Sequence, residues 1–294
     1  MTRISIPPIS PPVAKKAQPL VSVIVPTRNS ARYLHCCLAS LRSQTYDNLE
    51  IIVVDNHSSD NTRLIATDHG ATVVTCGPER SAQVNRGVAI AHGTFVFRVD
   101  SDFYVNPGVI DECVNLALAG FDAVVVHNTP RVVGRLSRIR KFEVDMYKYS
   151  LDHSAARFLT RSLYRKIGGY NETLTAGEDY DFQNQLSAHG ATIGFAHLEC
   201  VHLDEPTDLL PHLKKYYYYG LDFHHYLRLN RERGSTQLAF FRRDYARHWR
   251  EFARHPMLGG GFAVYHTLKY MAGVAGYASG VLRIMSRRVW LQLR

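Results

Sequence analysis

At 294 residues, with 46% hydrophobic and 21% charged side chains, the chain has the composition of a folded globular protein, long enough for one large α/β domain plus an appendage; disorder is excluded. The five cysteines (Cys36, Cys37, Cys76, Cys113 and Cys200) form no C-x-x-C pair and are odd in number, which argues against a zinc site or a complete disulfide framework and fits a reducing, cytosolic setting. A formal net charge of +9 favours an anionic partner but does not choose among nucleic acid, acidic membrane and nucleotide diphosphate.

Residues 1–19 are proline-rich and carry no apolar core of secretory length, so they read as a flexible leader. Residues 20–25 form a β-branched run closed by Pro26, a buried strand followed by a loop. Leu34, Leu38 and Leu41 give residues 30–43 helical spacing. Residues 50–54 are a second strand, 60–69 a helix and 71–74 a third strand. This alternation predicts a parallel sheet with crossover helices. A helix over 81–91 then leads to a strand over 94–99 that ends in Asp100 and Asp102. In open α/β sheets ligands bind beyond the carboxyl ends of the strands, so the loops after Val25, Val54 and Val99 belong to one crevice.

A helix over 107–118 and a strand over 123–126 follow. The basic stretch 131–141, with Arg135, Arg138 and Arg140, reads either as a solvated helix face or as a phosphate- or membrane-facing one. A helix over 180–189 and a strand over 192–201 complete the domain. Beyond Glu205 the chain turns helical, aromatic and basic. Residues 257–285 are mostly apolar, but the longest clean run, 270–282, is shorter than the roughly 20 residues that span a bilayer.

Asp100-Ser101-Asp102 places two carboxylates one residue apart at a strand end, where both approach a divalent cation and a ribose-diphosphate. Taken alone, Asp-x-Asp is also common in turns. Here it is the third strand-end motif in order, after Val25-Pro26-Thr27-Arg28-Asn29 and Val53-Val54-Asp55-Asn56. Further along come Gly77 to Ala82, Asn85-Arg86-Gly87, Ile167-Gly168-Gly169-Tyr170 and Gly177-Glu178-Asp179-Tyr180-Asp181. From about Leu20 to His202 this ordered set resembles the family-2 glycosyltransferases.

The resemblance implies a GT-A fold, an α/β, Rossmann-like and mostly parallel sheet flanked by helices, in a catalytic domain over 20–205. Composition adds the leader over 1–19 and a C-terminal helical, membrane-proximal extension over 206–294. By the same resemblance Pro26, Thr27, Arg28, Asp55, Arg80, Asn85, Asp100 and Ser101 hold a nucleotide-diphosphate sugar, UDP-linked by preference. Asp102 and His202 ligate Mn2+ or Mg2+, Asp179 is the base that takes the acceptor proton, and Glu178 orients it. The reaction is a single inverting displacement. Each role has a structural alternative: Asp55 as a turn or helix-cap residue, Arg80 as a surface arginine, Asn85 as a helix-facing amide, Glu178 and Asp179 as favourable first-turn acids, and His202 as a structural histidine. Asp181, two residues on, faces another direction and supports rather than catalyses. One departure from the family is Asp55-Asn56-His57-Ser58, where many members have a second acidic residue and a glycine; it leaves the nucleobase open.

The tail, outside the resemblance, groups apolar Phe262, Val264 and Tyr265 with Arg283, Arg287 and Arg288, and suggests interfacial helices on an anionic membrane, with a polyprenyl- or lipid-linked acceptor at its cytoplasmic face. An ordinary helical subdomain or an oligomer interface is the alternative. Competing functions are a sugar nucleotidyltransferase, which lacks its glycine-rich activation loop here, and a non-catalytic basic membrane-binding protein on the same fold. Nucleic acid is not expected. An oxidoreductase is disfavoured because no G-x-G-x-x-G follows Val25.

Overall fold

A computed structural model describes residues 18–292; the expected leader lies outside them except for its last two residues. Two compact units are present. The first gathers the described residues up to Thr129 with Ser154–Glu172 and Phe182–Asp204. The second comprises Pro130–His153, Thr173–Asp181 and the described residues from Glu205 onward.

In the first unit, β1 (Val21–Thr27), β2 (Leu49–Asp55) and β3 (Thr72–Thr75) alternate with α1 (Ala31–Arg42), α2 (Thr62–Asp68) and α3 (Arg80–Ile90), and β4 (Phe95–Arg98) follows. Every residue of β1 is buried, as expected of a central parallel strand covered on both faces. Next come β5 (Phe103–Val105), α4 (Val109–Leu118), β6 (Ala123–Val125) and β7 (Asn128–Pro130). After α5 (Arg135–Asp145) come β8 (Phe158–Thr160), α6 (Arg161–Lys166), α7 (Glu178–Ala188), β9 (Ile193–Phe195) and β10 (Cys200–His202). The main sheet runs β3-β2-β1-β4-β8-β6-β9, parallel except at β8, which is antiparallel to both neighbours. A second sheet runs β5-β10-β7.

The expected parallel core is present, and so is its carboxyl edge. The single strand expected over 192–201 is instead two, in different sheets, because residues 196–199 turn between them. Glu112 holds that turn by accepting the His197 and Leu198 backbone N–H groups at 2.7 and 2.9 Å.

The second unit is helical: α5, then α8 (Leu209–Leu229), α9 (Arg231–Gln237), α10 (Arg243–Arg247), α11 (Trp249–Arg254) and α12 (Pro256–Gln292). α12 crosses α8 closely because Gly276 and Gly280 face the carbonyls of Tyr217 and Leu221, where a Cβ would lie 2.0 and 2.2 Å from oxygen. A buried ionic group joins α5, α12 and the segment before α8. Glu143 pairs with Lys269 and with Arg140 at 2.7 Å, and Arg140 also reaches Glu205 at 3.2 Å. Arg140, read as part of a basic face, is thus an interior ion-pair partner, while Arg135 and Arg138 are exposed. Among the described residues no helix is long and apolar enough to cross a membrane.

Candidate functional site

The parallel register of β1 on β2 sets Thr27 opposite Asp55, and β4 flanks β1 on its other side. The loops after these three strands therefore leave the same edge. The Thr27 hydroxyl donates to Asp55 Oδ1 at 3.3 Å, and the Ser58 N–H donates to Oδ2 at 3.0 Å. The Asp55 carboxylate is fully buried and ties the turn that follows β2, which is the turn role that the sequence left as an alternative. Pro26 lies inside β1 opposite Val54, and Arg28 is exposed at the start of its loop. Asn29, with φ of 49°, stitches the first loop to the second: its N–H donates to Ser58 Oγ at 2.8 Å and its Oδ1 accepts the Ser59 N–H at 2.9 Å.

After β4 the two aspartates part company. Asp100 points to arginines: Oδ2 lies 2.8 Å from Arg157 Nη1 and 3.9 Å from Arg80 Nη1, and Oδ1 lies 3.2 Å from Arg98 Nη2. Burial alone would raise the Asp100 carboxyl, but Arg157, Arg98 and Arg80 hold it well below the usual carboxylate range. The Arg98 guanidinium sits 5.0 Å over the Tyr170 ring and that of Arg157 sits 5.1 Å over Phe103. Arg157 had no motif to announce it. Ser101 donates to Ser30 Oγ at 2.9 Å and links the Asp-x-Asp turn to the first loop.

Asp102 points elsewhere. β10 pairs antiparallel with β5, setting His202 opposite Phe103, and the Leu203 N–H donates to the Asp102 carbonyl at 2.8 Å. His202 Nε2 thereby comes within 2.8 Å of Asp102 Oδ2, both side chains partly exposed. One carboxylate oxygen and one imidazole nitrogen make a donor set that could hold Mn2+ or Mg2+. Among the described residues no group of three or more potential ligands is found.

Asn85, expected beside the nucleotide, has its amide engaged with the turn that follows α6. Its Oδ1 accepts the Tyr164 hydroxyl at 2.6 Å and the Tyr170 N–H at 3.0 Å, and its Nδ2 donates to the Tyr170 carbonyl at 2.9 Å and Glu172 Oε1 at 2.7 Å. The amide is a bracket for the Gly168-Gly169-Tyr170 turn. Gly169, with φ of 73°, fits against it where a Cβ would lie 2.6 Å from Asn85 Oδ1.

In the second unit Glu178, Asp179 and Asp181 form the acidic first turn of α7. Glu178 and Asp181 are buried, and Asp179 is more open. Asp181 Oδ1 accepts the Asn230 amide at 2.8 Å, which ties the turn to the end of α8. Of the three, Asp179 is the carboxylate best presented to solvent.

A model of the family described as Glycosyl transferase family 2 matches residues 22–173, just over half of the chain. The chondroitin synthase of Escherichia coli is 24% identical over 188 residues, covering 60% of this chain and 27% of that one. An uncharacterized glycosyltransferase of Rickettsia typhi is 27% identical over 181 residues, covering 55% and 57%. The chain thus spans about a quarter to just over half of these curated relatives. Among solved structures, the mannosyltransferase PcManGT from Pyrobaculum calidifontis, in complex with GDP-Man and Mn2+, matches with a TM-score of 0.63 at 18% identity over 90% of this chain and 87% of that one. S. aureus TarS 1-349, in complex with UDP-GlcNAc, matches with a TM-score of 0.52 at 20% identity over 69% and 66%. These last two are likenesses of fold.

Proposed function

The chain belongs to glycosyl transferase family 2, and on that premise we propose that it moves a sugar from a nucleotide-diphosphate donor, UDP-linked by preference, to an acceptor hydroxyl by direct displacement with inversion. The observation that carries the reading is the pairing of Asp102 with His202 beside the carboxyl edge of the sheet. Donor complexes of two proteins of like fold, one with GDP-Man and Mn2+ and one with UDP-GlcNAc, support the donor class.

Asp102 and His202 would hold the divalent cation, which when bound neutralises the charge that develops on the departing diphosphate. Pro26, Thr27, Arg28 and Asp55 line the nucleoside end of the site. A base contact to Asp55 requires the 56–59 loop to open, because the carboxylate is buried. Arg80 and Ser101 face the diphosphate end. Asp100 holds its turn in shape through Arg98 and Arg157, so that Asp102 is the carboxylate that the turn presents. Asp179 takes the proton of the acceptor hydroxyl as that oxygen bonds to the anomeric carbon and the bond from that carbon to the diphosphate oxygen breaks. Glu178 orients Asp179. The acceptor we assign to a lipid-linked glycan or polyprenyl phosphate at the cytoplasmic face of a membrane, an assignment supported by the apolar and basic helices of the second unit.

Thermal-shift screening against UDP- and GDP-sugars with and without Mn2+ tests the donor site. A cation-dependent rise in melting temperature is expected for the true donor, and none for any sugar nucleotide overturns the reading. Product stereochemistry tests the mechanism: a retained anomeric configuration contradicts it.

A further inference from the structure

The long helix α12 has two unlike faces. Its inner face is settled by contacts within the second unit: Phe262, Tyr265, His266 and Lys269 are buried, and Gly276 and Gly280 lie against α8. Its outer face is apolar and open. Met257 is 92% exposed, Met271 63% and Val274 64%, and Val264, Leu282 and Met285 are also large, apolar and exposed. From Pro256 to Leu282 the helix carries one charged residue, Lys269, and that one is buried against Glu143. The uncharged stripe is therefore roughly 40 Å long at 1.5 Å per residue, a contiguous apolar surface of the kind that marks an interaction site.

Its borders are basic. Between Phe240 and Ser286 the chain has six arginines and one lysine against one aspartate and one glutamate. Arg243, Arg247, Arg250, Arg254 and Arg283 are exposed. Just before the stripe, Phe241 and Trp249 stand 85% and 61% exposed among these arginines, the combination of apolar ring and cation that suits the headgroup layer.

We propose that this outer face of α12, with Phe241 and Trp249, docks flat on an anionic lipid surface, the helix lying in the interface while its inner face stays packed on its own unit. Three-and-four spacing of the stripe would also suit a second helix. The positions that flank it, however, include Ala263 and Ala275 rather than charge pairs that fix a register, and a second copy would bring another chain of net charge +9 to the same border. Lipid phosphates neutralise that border instead. The helix does not cross, since no described helix is apolar enough to do so. The docking draws its purpose from the acceptor reading above, but vesicles report it without any donor sugar, so the two fail separately.

Flotation of the full chain with vesicles of phosphatidylglycerol and phosphatidylcholine, and with phosphatidylcholine alone, is the test. The chain floats with the anionic vesicles and more weakly with the neutral ones. Met271→Glu/Val274→Glu, both at exposed positions, lowers the bound fraction at least roughly tenfold with an unchanged melting temperature. Arg250→Glu/Arg254→Glu, which leaves the apolar stripe intact, removes the preference for anionic vesicles, about tenfold. A chain that stays in the aqueous layer overturns the proposal, as does flotation that both variants leave unchanged. A dimer in sedimentation equilibrium that Met271→Glu/Val274→Glu dissociates, without flotation of the parent chain, assigns the face to a second copy.

Discussion

His202 Nε2 lies 2.8 Å from Asp102 Oδ2, across 100 residues of sequence, because β10 pairs antiparallel with β5. The proposed cation site needs both. His202→Ala is expected to lower Mn2+ affinity at least roughly tenfold, and Asp102→Asn to lower it further by removing the only charged donor of the pair. Isothermal titration with Mn2+ measures both; equal affinity in all three proteins removes the pair from the cation site.

The arginines around Asp100 make a different prediction. A carboxyl whose folded-state value is depressed contributes stability that is fully present above the ordinary aspartate range, near pH 4, and is lost as pH falls through the lower folded value. Asp100→Asn should therefore flatten the acid limb of the stability curve. At neutral pH it should cost about 3–5 kcal/mol, because Arg98 and Arg157 lose a buried partner. Urea midpoints from pH 3 to pH 7 check this, and an unchanged acid limb refutes it.

Around Asn85 the expectation concerns a loop. Asn85→Ala removes four hydrogen bonds that hold Tyr164, Tyr170 and Glu172, with a loss of about 1–3 kcal/mol from the buried groups left unmatched. Gly169→Ala meets the same amide and a positive φ together, and should destabilise by a similar amount. Chemical denaturation of the two variants and their double mutant measures the coupling. Full additivity would mean that the amide and the glycine do not share one bracket.

The long β-branched strands β1 and β2 and the strand-end motifs after them were legible because each carries its own periodicity or punctuation. The three-residue strands β5, β7 and β8 were not, since so short a run takes its conformation from the neighbour it pairs with. Glu112 broke the strand expected over 192–201 from a position far away in sequence. Arg157 was invisible for the same reason, its partner Asp100 being 57 residues distant. In the tail, Phe262, Val264 and Tyr265 were grouped by apolar composition alone, yet Phe262 and Tyr265 are buried and Val264 is exposed. A helix apolar around much of its circumference does not say which side faces the protein.

In the second unit, Glu143 sits among Lys269, Arg140 and His266. Burial would raise its carboxyl, but Lys269 and the groups beside it hold it well below the usual range. Glu143→Gln leaves Lys269 buried without its counter-charge and should cost about 3–5 kcal/mol. Glu143→Gln/Lys269→Met should recover much of that loss, because removing both charges also removes both desolvation penalties. Denaturant midpoints of the single and double variants decide it; a double variant as unstable as the sum of its parts would show that the pair acts through separate contacts.

At the first turn of α7 the roles of two neighbouring aspartates separate. Asp181 is buried and accepts the Asn230 amide through Oδ1, a bond that Asp181→Asn can keep through its own carbonyl oxygen, so that variant should lose little activity. Asp179 is more open, and if it is the base proposed above, Asp179→Asn leaves shape and donor binding intact while removing the carboxylate that takes the acceptor proton. Its kcat should fall by roughly 10²–10⁴, the range of a general base, with the donor Kd unchanged. Steady-state kinetics beside donor titrations distinguish the outcomes. Equal losses in the two variants would mean that the turn, not a particular carboxylate, supports transfer, and a weakened donor Kd in Asp179→Asn would place that residue on the donor instead of the acceptor.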